Sequence, residues 1–223
     1  IPLLARRASR QRRQRRPRQC QQHVRPSRQR PPRPLQRQAA LRPQGSEQAA
    51  NAQLVGIESY NVTSWGSLKA YLKSTPSVVL LVQETHLLAE GAEEASDFAK
   101  KAGWKCIQSQ AIPGVGKGTS GGVMILVRDR VGLSYPDQLS HEALKGRVVA
   151  AKVEIPGMPT ILAVSAYLHS GKGISESCNL EVLQAVGQVV SGNTLPFIIG
   201  ADFNNAPDAL ADLDFAQELG AAI

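Results

Sequence analysis

The sequence predicts an α/β fold with a mixed sheet covered on both faces, and three observations carry that expectation. Beyond residue 53, short β-branched and aliphatic runs alternate with helical patterns. Two of the runs are joined by Pro156-Gly157-Met158-Pro159, a turn sequence that makes that pair antiparallel. The runs are apolar on both faces, so each side of the sheet needs a covering layer, either helices or another sheet.

In chain order, the strand candidates are 55–62, 77–83, 104–108, 122–128, 148–155, 160–167 and 197–199. Each is a short apolar run, and the Gly114 to Ser120 stretch before 122–128 reads as a flexible glycine loop leading into it. Helical periodicity marks 64–73, 92–101, 177–190 and 209–220. The chain ends inside the last of these patterns with no strand after it, so the domain is expected to be incomplete at its C-terminal side.

Length and composition fit one domain plus a tail. The chain has 223 residues, 42% of them hydrophobic but only 4% aromatic, which predicts an aliphatic core. The net charge of +8 averages two unlike segments. Residues 1–50 hold 14 Arg, no Lys and one acid, Glu47, giving +13, whereas the remaining 12 Lys/Arg against 17 Asp/Glu give −5. Residues 6–43 are almost wholly Arg, Gln, Pro and Ser and cannot bury enough surface to offset their ordering entropy. The division expected is therefore a disordered tail over 1–50 and a folded domain over 51–223. A tail this basic binds polyanions by counterion release. It reads equally as a nucleic-acid or nuclear-targeting arm, as a solvated low-complexity segment, or as an organellar transit peptide.

Cys20, Cys106 and Cys178 are odd in number and form no C-x-x-C pair, which excludes a disulfide framework or zinc site and favours a reducing, intracellular setting. Nucleus and organelle both stay open. No run approaches the roughly 20 apolar residues needed to span a bilayer, so no membrane partner is expected. Because the sequence begins at Ile1, an upstream signal also stays open.

Polar residues gather at the ends of apolar runs, where α/β proteins place their sites. The four segments are Tyr60-Asn61-Val62-Thr63-Ser64-Trp65, Val82-Gln83-Glu84-Thr85-His86, Ala166-Tyr167-Leu168-His169 and Ile199-Gly200-Ala201-Asp202-Phe203-Asn204-Asn205-Ala206-Pro207. Taken singly, Glu84 reads as a cap or loop acid, Asp202 as a turn cap and Tyr167 as a packing residue. Phosphodiester hydrolysis needs a hard cation, an acid to prepare water and donors for the phosphoryl oxygens, and these residue types supply them.

Together and in this order, the segments resemble the endonuclease/exonuclease/phosphatase superfamily of DNase I-like, apurinic and retrotransposon-type endonucleases. The resemblance runs from about Leu54 to Pro207 and includes the glycine-led run beginning at Ser120-Gly121-Gly122. It implies a four-layer sandwich of two packed mixed sheets flanked by helices. It also implies an Mg²⁺- or Mn²⁺-dependent phosphodiester hydrolase acting on nucleic acid. By the same resemblance Glu84 is a metal ligand with Asn61 as its neighbour, Asp202 holds or activates the attacking water, Asn204 orients it, and Tyr167 donates its hydroxyl. Asn205 and Pro207 shape the turn.

The departures are specific. Thr63 stands where many of the nucleases carry an acid, and His169-Ser170 stands where a Pro-Asn pair often follows the Tyr. The closing Ser-Asp-His motif is absent: the histidines are His23, His86, His141 and His169, none preceded by Asp. Low activity of this chain alone is therefore expected. A single loop histidine such as His169 reads as a bystander. Gly114-Val115-Gly116-Lys117-Gly118-Thr119-Ser120 imitates a Walker A loop but has Ala111 and Gly118 at its defining positions, so it binds no nucleotide by that mechanism. Two rival readings remain at this level: a non-catalytic nucleic-acid-binding remnant, and a phosphatase or phosphodiesterase for a small or lipid phosphoester.

Overall fold

The computed structural model describes residues 55–114, 118–136 and 144–221. The expected tail over 1–50, the start of the domain at 51 and residues 115–117 of the glycine loop lie outside the described residues.

In chain order the elements are β1 Ile57–Asn61, α1 Trp65–Tyr71, β2 Val79–Gln83, α2 Ala89–Lys101, β3 Trp104–Ser109, β4 Ile112–Pro113, β5 Thr119–Ser120, β6 Val123–Arg128, β7 Gly132–Ser134, β8 Val148–Glu154, β9 Ile161–Tyr167, α3 Ser177–Ser191, β10 Phe197–Asp202, α4 Pro207–Ala211 and α5 Phe215–Glu218. They build two four-stranded mixed sheets, ordered β1-β2-β6-β3 and β10-β9-β8-β7, with β4 and β5 as a small separate ribbon. In the first sheet β1 runs parallel to β2, and β6 is antiparallel to both β2 and β3. In the second β10 runs parallel to β9, and β8 and β9 form the antiparallel hairpin expected from Pro156-Gly157-Met158-Pro159. The fold is a DNase I-like sandwich.

Three apolar clusters fill the layers. Leu81, Ile125, Ala151, Val153, Ala163 and Tyr167 are among the side chains packed between the two sheets. Leu68 of α1, Leu72 at its C-cap, and Ala95 and Ala99 of α2 cover the outer face of the first sheet around Trp104. Val182, Val186 and Val190, at a helical spacing of four on α3, cover the outer face of the second against Leu162 and Val164. Strands buried on both faces explain why their sequences are continuously apolar rather than alternating.

Two expectations need correction. The helical pattern over 209–220 is two short helices separated at Asp214, whose φ of 52° is left-handed and cannot continue an α-helix. Leu210, Leu213, Phe215 and Leu219 all still reach the second sheet's outer cluster, which is why the periodicity survives the break. The strand expected at 197–199 extends to Asp202, because Gly200 to Asp202 pair with Ser165 to Tyr167. None of the described helices is long and apolar enough to cross a membrane.

Candidate active site

All four sequence segments straddle the C-terminal ends of strands. β1 ends at Asn61, β2 at Gln83, β9 at Tyr167 and β10 at Asp202. Since β1 parallels β2 and β9 parallels β10, the ends in each sheet share one edge. A short hydrogen bond joins the edges: Asn61 Nδ2 donates to Asp202 Oδ2 at 2.6 Å, bridging the two sheets.

The turn after β1 is fixed by Asn61 itself, whose Oδ1 accepts from the Thr63 backbone N–H at 3.1 Å. Thr63 is left-handed, with φ 54°, and Ser64 then caps α1 by accepting from Ser67 N–H at 3.3 Å. Asp202 shapes the turn after β10 in the same way, its Oδ1 accepting from Asn204 N–H at 3.0 Å while Asn204 takes φ 50°. Asn204 Nδ2 donates to Leu168 O at 2.9 Å, so this turn is tied to the chain leaving β9. Asn205 Nδ2 donates to Phe203 O at 2.8 Å, in keeping with a turn-shaping part.

The Gln83-Glu84-Thr85 segment divides its labour. Gln83 is buried between the sheets, its Nε2 facing Ser165 Oγ at 3.0 Å and Gly200 O at 3.1 Å. It is a polar staple under the site. Glu84, at φ 58°, swings its carboxylate out of the strand line, and the turn is held by Thr85 N–H to Gly122 O at 3.0 Å and His86 N–H to Gly121 O at 3.2 Å. Gly122 is required here, because its φ is 91° and a Cβ would run into Thr85. Four of the five non-glycine residues with positive φ among the described residues, Thr63, Glu84, His86 and Asn204, sit in these turns, and backbone strain of this kind clusters at functional sites.

Tyr167 is 5% exposed. Burial, then the hydrogen-bonding Glu84 carboxylate beside it, pushes its hydroxyl above the ordinary tyrosine range, so the phenol stays protonated. Glu84 therefore neighbours both Tyr167 and His86, with His86 Nε2 3.8 Å from Glu84 Oε2 and His86 Nδ1 3.2 Å from Thr119 Oγ1.

The structure brings Asn61, Glu84, Tyr167, Asp202 and Asn204 to one end of the sandwich, and it adds a residue that the sequence reading missed. Arg147, just before β8, is 5% exposed and stacks over the Tyr167 ring at 4.8 Å from its centroid. Its Nη2 donates to Ser120 Oγ at 2.6 Å, but Nε and Nη1 are buried with no partner among the described residues. Burial draws its pKa down, against the opposing pull of Tyr167, Cys178 and Glu84. The available signal was a lone Arg wedged between Gly146 and an apolar strand. His169, at the rim, has its imidazole pKa lowered by burial and by Arg147, with Glu181 opposing and Lys172 assisting.

Two carboxylates, two amides, a protonated phenol and a guanidinium with unused donors define a site for an anionic, oxygen-rich substrate, at the open end of a two-sheet sandwich. A sequence model of the Endonuclease/Exonuclease/phosphatase family matches residues 59–222, and the chain belongs to that family, a phosphoesterase family by its name. Solved structures agree on the fold. The endonuclease domain of TRAS1, a telomere-specific non-LTR retrotransposon, superposes with a TM-score of 0.50 at 16% identity, over 74% of this chain and 70% of that one. The AP endonuclease LMAP from Leishmania major gives 0.50 at 16% identity over 73% and 66%. An endonuclease/exonuclease/phosphatase family protein from Leptotrichia buccalis gives 0.51 at 16% identity over 74% and 74%. The chain thus spans two thirds to three quarters of these neighbours' length. No curated protein sequence matches it at a significant level.

Proposed function

We propose that this chain is the catalytic part of a divalent-metal-dependent phosphodiesterase that cuts nucleic acid internally. The observation that carries the reading is the Asn61–Asp202 bond across the two sheets, with Glu84, Tyr167 and Arg147 around it. The donor set suits a hard cation. Glu84 offers a carboxylate, Asn61 Oδ1 keeps a second lone pair beyond the one facing Thr63, and magnesium accepts such sparse oxygen sites because it retains its own waters. Among the described residues no three His, Cys, Asp or Glu side chains gather in the manner of a structural zinc site. Glu84 and Asn61 are the residues to hold Mg²⁺ or Mn²⁺, which when bound supplies positive charge to the phosphoryl oxygens.

The chain's own groups do the rest. Asp202 is pinned through both oxygens, by Asn61 and by the Asn204 N–H, so its carboxylate is pre-oriented to take a proton from the attacking water. Asn204 has its Nδ2 engaged with Leu168, which leaves Oδ1 to orient that water. The Tyr167 phenol and the free edge of Arg147 donate to the phosphate as charge builds on it.

Nucleic acid is favoured over a small or lipid phosphoester by the +13 of residues 1–50 and by the TRAS1 and LMAP neighbours, both endonucleases. The test offers labelled duplex DNA, single-stranded DNA, RNA and a phosphomonoester, each with Mg²⁺ or EDTA. The expected result is slow Mg²⁺-dependent internal cleavage of a polynucleotide, because the 223 residues contain no Asp-His pair and one missing electrostatic partner costs about 10²–10³ in rate. Glu84→Gln and Asp202→Asn should abolish it. Turnover of the monoester alone would contradict the reading, and tight binding without any cleavage would favour a non-catalytic remnant.

A further inference from the structure

The chain leaving β9 makes a short loop before α3, and buried polar groups hold that loop in place. Ser170-Gly171-Lys172-Gly173 is exposed and contributes no apolar side chain to the core. Asn179, in the first turn of α3, is 0% exposed and directs its whole amide at this loop. Its Oδ1 accepts from His169 N–H at 2.7 Å, and its Nδ2 donates to Gly173 O at 3.1 Å and stands 3.4 Å from Lys172 O. Losing such partners inside the fold is costly, so the clamp selects one loop shape. Gly171, at φ 69°, supplies the left-handed residue that the turn at the tip requires.

The loop is tied to the active site as well. Leu168 O accepts from Asn204 Nδ2 at 2.9 Å where the loop begins, and Asn205 Nδ2 reaches Lys172 O at 3.4 Å at its tip. The backbone of Lys172 is therefore held between α3 and the turn that carries Asp202 and Asn204. Its side chain is exposed and forms no ion pair among the described residues.

The charge around the site gives this cation a task. Residues 51–223 carry −5, and Glu84 and Asp202 place two of the carboxylates in the site itself, so an approaching polyanion is repelled. The donors already described meet one phosphate, and a neighbouring phosphate of the same strand needs a cation outside them. Lysine binds phosphate as a point charge, and a loop already fixed in shape loses little further freedom on binding.

We propose that the loop from His169 to Gly173 is a second phosphate subsite, in which Lys172 binds a backbone phosphate flanking the scissile one and Asn179 is the positioning residue that holds it there. The inference rests on the nuclease reading and sharpens it, because a substrate that fills both places is a polynucleotide and not an isolated phosphoester.

The experiment reads binding without cleavage, so its outcome is separate from that of the catalytic assay. Fluorescence anisotropy of a labelled short DNA duplex is followed with the full chain in EDTA across a potassium chloride series. Lys172→Gln should weaken binding several-fold and make the salt dependence of log Kd shallower by about 0.9, the value of one phosphate contact. Lys100→Gln, which removes the same charge from the exposed last turn of α2, should match the parent. Asn179→Ala should weaken binding as Lys172→Gln does, and the double variant should bind no more weakly than either, because the amide acts through the lysine. Should Asn179→Ala fail to fold, Lys172→Gln alone decides. If Lys172→Gln keeps the parent's affinity and salt slope, or if Lys100→Gln loses as much, Lys172 is an ordinary solvated lysine and the proposal is wrong. Fully additive losses would remove Asn179 from it.

Discussion

Gly200→Ala places a methyl group where β10 of one sheet lies close against β2 of the other. A Cβ at this position would lie 2.7 Å from Leu81 Cβ and 2.8 Å from Ser59 Oγ. Ordinary carbon contacts are about 3.5–4.0 Å, so the sheets must part locally by about 1 Å. Leu81 is 1% exposed and its Cβ is fixed to β2, which leaves it no space to retreat into. Overpacking of this kind costs about 1–3 kcal/mol. The same displacement would carry Asp202, two residues along the same face of β10, away from Asn61. Their bond of 2.6 Å would lengthen to about 3.6 Å, a separation at which it is no longer a hydrogen bond. Gly187→Ala is the matched control: it lies inside α3, nothing stands within 4 Å of its added Cβ, and it should stabilise by about 0.5–1 kcal/mol. Urea unfolding of both variants measures the contrast. If Gly200→Ala unfolds at the parent midpoint while Gly187→Ala shifts as expected, the close approach of β10 to β2 is not what shapes the site.

Gln83→Leu, which keeps the bulk but leaves Ser165 Oγ and Gly200 O without their amide partner, should cost about 1–3 kcal/mol in the same unfolding assay. Asn61→Asp sets a second carboxylate against Asp202, so the pair's proton affinity rises in the folded state; relative to the parent, stability should fall as pH is raised from 5 to 8, as read from thermal melts. His169 has a lowered folded pKa, so the unfolded chain binds more protons below its ordinary pKa of 6.5. Its contribution is therefore present above that value and is lost as pH falls, and His169→Asn should flatten this part of the stability profile.

What could be read in the sequence, and what could not, follows from the range of the interactions. β2, β6, β8 and β9 are buried on both faces, so their apolar runs declare them. β4, β5 and β7 are two or three residues long and carry no periodicity to detect. The end of β10 is Gly-Ala-Asp, poor strand formers held by pairing with β9, a long-range cause. In the site, Asn61, Glu84, Tyr167, Asp202 and Asn204 were legible because each lies at or just past the end of a strand within a recognisable motif. Gln83 was visible only as part of that motif, since its task is to staple a sheet that the sequence does not show. Arg147 was hidden for a different reason: an arginine beside a glycine reads as a solvated turn, and only the arrival of Tyr167 from 20 residues downstream buries it.

The central claim is that Glu84 and Asn61 hold a divalent cation beside the Asp202 carboxylate. Electron paramagnetic resonance of Mn²⁺ titrated into the chain tests it without requiring turnover. The account predicts a single displaceable Mn²⁺ per chain, competed by Mg²⁺ and lost in Glu84→Gln. Equal Mn²⁺ binding by the parent and Glu84→Gln, or no binding by either, would contradict it.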